Sequence, residues 1–142
     1  MDIRQTNTTA LAYLGDAVYE VYVREKSVLE KPANIDAIHR MNVRYVRAEG
    51  QEAAIRALLP ELTEEEQSIV RRARNHKITS KPKNASPVTY KMATAFEALI
   101  GYLYMSGQKE RMEKLIRKAM EIIDESGNVK PRAAHNPAGT GK

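Results

Sequence analysis

The chain of 142 residues contains no cysteine and no apolar run long enough to span a membrane. Without cysteine the protein can form neither disulfide bonds nor thiolate metal sites, which fits a reducing compartment. The polar N-terminus lacks the apolar core of a signal peptide, and a membrane-spanning helix would need about 20 mostly apolar residues in a row. We therefore expect a cytoplasmic protein with no membrane association.

Several common catalytic arrangements are also missing. The three histidines, His39, His76 and His135, are too scattered to form a zinc site. No serine or threonine lies in a nucleophile motif, and no glycine-rich loop is present to bind a nucleotide phosphate. These observations disfavour the corresponding classes of hydrolase and nucleotide-binding protein.

The sequence does contain apolar residues at helical spacing along most of its length, without convincing strand alternation. Asn34 and the pair Ser86–Pro87 are helix start signals, and Thr63 with Glu66 matches a capping box. We predict one all-α domain of six or seven helices over residues 1–125, in which the last helix ends near Asp124. Residues 126–142, rich in glycine, proline and polar residues, are predicted to form a disordered tail.

Positive charge is concentrated in one segment. The net charge is +5, and residues 71–83 carry six basic residues and no acidic one, so the rest of the chain sums to −1. The basic residues are Arg71, Arg72, Arg74, Lys77, Lys81 and Lys83. Such a patch suits a phosphate backbone, although a solvated helix end followed by a loop has the same composition.

Two short segments each place a carboxylate near a glycine within an apolar helical run. Asp16 follows Gly15, and Glu97 precedes Gly101 by one helical turn. A glycine inside a helix costs about 1 kcal/mol relative to alanine, but it lets another helix or a ligand approach closely. Both acids could lie on the surface with no special role. If their helices pack together, the acids could instead bind one Mg²⁺ ion, which prefers carboxylate oxygens.

The segments Ala12–Tyr19 and Thr94–Gly101 resemble the two catalytic helices of the ribonuclease III endonuclease domain. The whole chain is more similar to the Mini-ribonuclease III branch of that family, whose bacterial members have the nuclease domain alone. The resemblance extends over about Ala10 to Met105 and includes Ala73–Asn75 and Pro82–Asn84. It therefore implies the helical fold of this nuclease domain.

The resemblance also implies a homodimeric, Mg²⁺-dependent endoribonuclease, in which Mn²⁺ can replace Mg²⁺. Such an enzyme cleaves double-stranded RNA, leaves 5′-phosphate and 3′-hydroxyl ends, and matures the precursor of large-subunit ribosomal RNA. Carried over by motif, Asp16 and Glu97 are the catalytic, metal-binding residues, and Tyr13 is a contact at the dimer interface. Few residues follow the last predicted helix, so we expect the nuclease domain to bind RNA by itself. The residues expected to do so are Arg71, Arg72, Arg74, Asn75, Lys77, Lys81 and Lys83.

The motifs depart from the full ribonuclease III pattern at three positions. Full-length members carry further acids where this chain has Thr9, Ala12 and Thr94. The Mini-ribonuclease III branch shares this reduced set, so the departures support that assignment. Two acids alone form a sparse ligand set, and Glu20 has no counterpart in the motif. The alternative is therefore a non-catalytic, ribonuclease III-like RNA-binding or ribosome-associated module.

Overall fold

The computed structural model describes residues 2–77 and 85–133, with side chains described as far as residue 127. These residues form six α-helices and no strand, which confirms the predicted all-α fold. The helices are α1 (Thr8–Leu29), α2 (Ile35–Val46), α3 (Ala48–Leu58), α4 (Glu64–Asn75), α5 (Pro87–Met105) and α6 (Lys109–Ala133). Short 3-10 helices, Ile3–Gln5 and Leu59–Glu61, precede α1 and follow α3.

The predicted helix starts are confirmed by the capping hydrogen bonds. The side chain of Asn34 accepts a hydrogen bond from the backbone N–H of Ala37 at 2.9 Å. Thr63 and Glu66 form a reciprocal capping box, in which each backbone N–H donates to the other side chain, at 2.9 and 3.1 Å. Ser86 caps α5, which has a proline at its first position. Each cap satisfies backbone donors that the first helical turn leaves without partners.

The last helix is longer than predicted. We expected an end near Asp124, but α6 continues to Ala133 and passes through Gly127 without a break. A glycine lowers helix propensity by about 1 kcal/mol relative to alanine, which is not enough to end a helix by itself. The division into a domain of residues 1–125 and a tail of residues 126–142 stays a prediction.

Helix α5 lies at the centre of the fold and packs against α1, α3, α4 and α6. Because other helices surround it, α5 carries buried apolar residues on most of its faces. At its contact with α1, the rings of Tyr19 and Phe96 meet edge to face, with centroids 5.0 Å apart. The Tyr19 hydroxyl donates to the backbone oxygen of Tyr45 at 2.9 Å, which ties α2 to the same core. Even α5, like every other helix that the structure describes, is too short or too polar to cross a membrane.

A buried ion pair connects α4 and α6. Glu66 is 2% exposed, and its carboxylate accepts hydrogen bonds from the Arg111 guanidinium at 2.8 and 2.9 Å. Burial acts to raise the pKa of Glu66, but the hydrogen bonds from Arg111 and from the Thr63 backbone outweigh it and hold this pKa below its ordinary value. Glu66 is therefore ionised inside the fold, where it depends on Arg111.

Candidate active site

The backbones of α1 and α5 touch at the two glycines of the acidic segments. A Cβ atom on Gly15 would lie 1.7 Å from the carbonyl oxygen of Glu97, and one on Gly101 would lie 2.0 Å from the carbonyl oxygen of Leu11. Such contacts essentially never occur below 3.0 Å, so any other residue would push the two helices apart. The two glycines therefore allow α1 and α5 to cross in backbone contact.

This crossing brings the two predicted acids together. Asp16 follows Gly15 directly, while Glu97 supplies the carbonyl group that Gly15 touches, so the two side chains come within hydrogen-bonding contact. Asp16 is exposed and Glu97 is partly buried. Burial, then the hydrogen bond with Asp16 and the charge of that neighbour, raise the pKa of Glu97 to about 9. At neutral pH Glu97 is therefore protonated and hydrogen-bonded to Asp16.

Two carboxyl groups in contact mark a place where a cation can bind. A divalent ion that replaced the proton on Glu97 would be ligated by both acids, because cations lower the pKa of their ligands. Within the part of the chain that the structure describes, no histidine and no further acid joins Asp16 and Glu97 to form a metal-binding cluster of three. Mg²⁺ usually takes one or two carboxylates and keeps several waters, so Asp16 and Glu97 fit this ion.

Glu20 does not belong to the pair, although it lies one turn after Asp16 on α1. Its Oε2 atom accepts hydrogen bonds from Arg24 Nε at 3.0 Å and from Asn42 Nδ2 at 2.7 Å. These contacts pair the carboxylate with residues of α1 and α2, and the motif likewise leaves Glu20 out.

Gln51 of α3 is a neighbour of the site that the sequence reasoning missed. It is 1% exposed, and its side-chain amide contacts Glu97, where it partly offsets the rise in the pKa of that acid. The signal was present in the sequence, since Gln51 stands at helical spacing from the buried apolar residues Ala54, Ile55 and Leu58. A polar residue in an apolar helical face is a reason to look for a buried polar partner.

The predicted RNA-binding residues lie at and beyond the C-terminal end of α4. The exposed ones are Arg71, Arg72, Arg74, Asn75 and Lys77, whereas Lys81 and Lys83 lie outside the described residues. Arg72 also has a structural role, because its guanidinium donates to the backbone oxygens of Arg4 and, at 3.1 Å, Thr6.

The N-terminus of α1 and the end of α4 form a groove of about 470 Å³. Its lining residues are Asn7, Thr8, Arg71, Arg72, Asn75 and His76. Asp16 lies eight residues after Thr8 on the same helix, which corresponds to about 12 Å along its axis. The basic end of α4 therefore lies beside the first turn of α1, which is about 12 Å from Asp16 along the helix axis.

Tyr13, the predicted dimer contact, projects from the surface of α1 with 85% of its side chain exposed. Ala17 and Val21, one and two turns later, are exposed as well. Together these residues form an apolar stripe next to Asp16. Exposed apolar stripes of this kind commonly mark contacts with another molecule.

Comparisons with known proteins identify the family of this chain. A family model described as the ribonuclease III domain matches residues 9–108. A Mini-ribonuclease 3 from Symbiobacterium thermophilum is 46% identical over 114 residues, which cover 80% of this chain and 88% of that protein. A Mini-ribonuclease 3 from Enterococcus faecalis is 42% identical over 88% of this chain and 96% of its own length.

A crystal structure of a Fusobacterium nucleatum protein superposes with a TM-score of 0.79. It is 30% identical and covers 85% of this chain and 98% of its own. The fold, the glycine crossing with its two acids and these similarities lead to one assignment. The chain belongs to the ribonuclease III domain family and, within it, to the Mini-ribonuclease 3 endoribonucleases.

Proposed function

We propose that this endoribonuclease acts in the cytoplasm as a homodimer that cleaves double-stranded RNA with Mg²⁺, or with Mn²⁺ in its place. We further propose that its substrate is the precursor of large-subunit ribosomal RNA. The observation that carries the proposal is the contact between Asp16 and Glu97 at the crossing of α1 and α5. The family resemblance supports the substrate, the dimer and the metal.

The two acids are suited to different roles in the cleavage reaction. Asp16 is exposed, so its carboxylate can face both an ion and an RNA phosphate, whereas Glu97 is held more deeply between helices. A bound divalent ion would neutralise charge on the attacked phosphate and activate a water molecule. For that ion to bind, Glu97 must release its proton, which makes the occupancy of the site dependent on pH.

Substrate binding is assigned to the basic end of α4 and the segment after it. A-form RNA is recognised mainly through phosphates and 2′-hydroxyl groups, which side chains such as Arg71, Arg74 and Asn75 can contact. Lys77, Lys81 and Lys83 would add further phosphate contacts. Each neutralised phosphate releases counterions, so RNA affinity should fall steeply as salt rises.

A dimer has a mechanistic reason here. One carboxylate pair can cut one strand, so cleavage of both strands of a duplex needs two sites related by a two-fold axis. The exposed stripe of Tyr13, Ala17 and Val21 supports a self-complementary contact next to Asp16. We propose Tyr13 as an interface residue of that dimer.

The proposal is tested with a radiolabelled RNA duplex and the variants Asp16→Asn and Glu97→Gln. Each should reduce the rate of cleavage by about 100-fold or more, because an anionic ligand for the ion is lost. The control is Glu110→Gln, which removes an exposed acid on α6 and should cleave at the wild-type rate. If the wild-type protein cleaves no faster than Asp16→Asn over a range of Mg²⁺ and Mn²⁺ concentrations but still binds RNA, the chain is a non-catalytic module.

A further inference from the structure

The buried amide of Gln51 stands out among the buried polar side chains of the described residues, which are Thr8, Ser27, Gln51 and Glu66. The Ser27 hydroxyl donates to the backbone oxygen of Val23 at 3.0 Å, and Glu66 is paired with Arg111. By contrast, Gln51 Nε2 makes no hydrogen bond of regular geometry to any described residue. An unsatisfied buried donor lowers stability, so its presence calls for an explanation.

Packing does not provide this explanation. The face of α3 that carries Gln51 continues with Ala54, Ile55 and Leu58, all fully buried. A leucine or methionine at position 51 would match this face and leave no polar atom without a partner. The feature that distinguishes position 51 is its contact with Glu97 across the interface between α3 and α5.

We propose that Gln51 is a positioning residue that orients the Glu97 carboxylate for a divalent cation shared with Asp16. This inference rests on the proposed metal-dependent nuclease function. A cation bound by Asp16 and Glu97 would be held by the carboxylate form of Glu97, to which the N–H group of an amide donates a short and strong hydrogen bond.

Such a bond would engage one carboxylate oxygen and leave the other directed at the ion. Hydrogen-bond partners of ligating groups commonly contribute about 10- to 100-fold to metal affinity or activity. The buried amide would therefore lower the stability of the fold and raise the affinity of the site for the cation. A structural role predicts the opposite, namely that removal of the amide changes stability and leaves metal binding as it is.

The test compares Gln51→Met and Gln51→Leu with the wild-type full chain. The matched control is Gln67→Met, because Gln67 Nε2 donates to the backbone oxygens of Leu59 and Leu62 at 3.0 and 3.3 Å, a purely structural role. Mn²⁺ binding without RNA is measured from the electron paramagnetic resonance signal of the free ion. Melting temperatures are measured with chelator present, and duplex cleavage is measured with Mg²⁺.

We expect the Gln51 variants to bind Mn²⁺ about tenfold more weakly and to show a lower kcat with an unchanged KM for RNA. Their melting temperature with chelator should not fall, whereas Gln67→Met should melt earlier and bind Mn²⁺ normally. Mn²⁺ affinity within twofold of wild type, in whichever Gln51 variant folds, overturns the inference.

The same measurements distinguish this inference from the proposed function. If Asp16→Asn loses Mn²⁺ binding and cleavage while the Gln51 variants behave like wild type, the function stands and the inference fails. If the wild-type protein binds Mn²⁺ in a Gln51-dependent way but cleaves no duplex, the inference stands and the function fails.

Discussion

Replacement of Gly15 by alanine should both destabilise the fold and impair the site. The added Cβ would lie 1.7 Å from the Glu97 carbonyl oxygen, and such contacts essentially never fall below 3.0 Å. Helices α1 and α5 must therefore separate by at least 1.3 Å, the difference between these two distances. Because the obstacle is backbone, no side-chain rotation can relieve it.

The size of the effect follows from two opposing terms. Overpacking of a core costs up to about 3 kcal/mol, and a contact with backbone belongs at that upper end. Alanine raises the free energy of unfolding by about 1 kcal/mol because its helix propensity is higher than that of glycine. The free energy of unfolding should therefore fall by about 2 kcal/mol, which for a domain of this size lowers Tm by about 7 °C.

Thermal and urea unfolding followed by circular dichroism measure this change. Gly127→Ala is the matched control, since the nearest atom to its added Cβ is an Arg44 side-chain nitrogen at 3.7 Å, and it should be neutral or slightly stabilising. Well below its Tm, Gly15→Ala should also cleave RNA more slowly, because Asp16 moves away from Glu97. A Gly15→Ala protein with wild-type Tm and activity would refute the close crossing.

Three other experiments test separate parts of the structure. Arg111→Met should lower the free energy of unfolding in urea by about 3 kcal/mol, because it leaves a buried carboxylate on α4 unpaired. The ion pair between Arg56 and Glu52, one turn apart on α3, lies at the surface and is worth about 0.5 kcal/mol. Equal losses in Arg111→Met and Arg56→Met would therefore contradict this reasoning. With chelator present, the folded state keeps a proton on Glu97 up to a pKa of about 9, above the ordinary value of 4.5. The free energy of unfolding should therefore fall as pH rises between these values. Calorimetry should show that this free energy depends less on pH in Glu97→Gln than in the wild type. An equal dependence in the two proteins would contradict the raised pKa of Glu97. Joint replacement of Lys81 and Lys83 by glutamine should weaken duplex binding. It should also reduce the slope of log affinity against log salt concentration by about two. An unchanged affinity would show that these lysines do not contact the RNA.

Features that depend on local sequence could be predicted well. The capping box of Thr63 and Glu66 and the cap at Asn34 are encoded within three residues, and both form as expected. The meeting of Asp16 and Glu97 required knowledge of which helices cross, which the family resemblance supplied. The glycines beside them were the physical sign of that crossing.

Features that depend on the relative placement of distant elements were not predicted. The contact of Gln51 with Glu97 requires α3 to turn one particular face toward α5, which periodicity alone does not specify. The hydrogen bonds from Arg72 to the backbone of Arg4 and Thr6 join residues that are 68 and 66 positions apart in the sequence. The extension of α6 beyond Gly127 shows that local end signals can be overridden.

The glycine crossing has a consequence for how this enzyme can be altered. The separation of the two helix backbones that carry the acids is set by main-chain atoms in contact, which do not change when side chains are exchanged. Core residues such as Leu103 or Ile116 can therefore be repacked to raise thermal stability without moving the acids. A more stable RNA-cleaving reagent could therefore be designed by repacking apolar core positions while the two glycines, the two acids, Gln51 and the Glu66–Arg111 pair are kept.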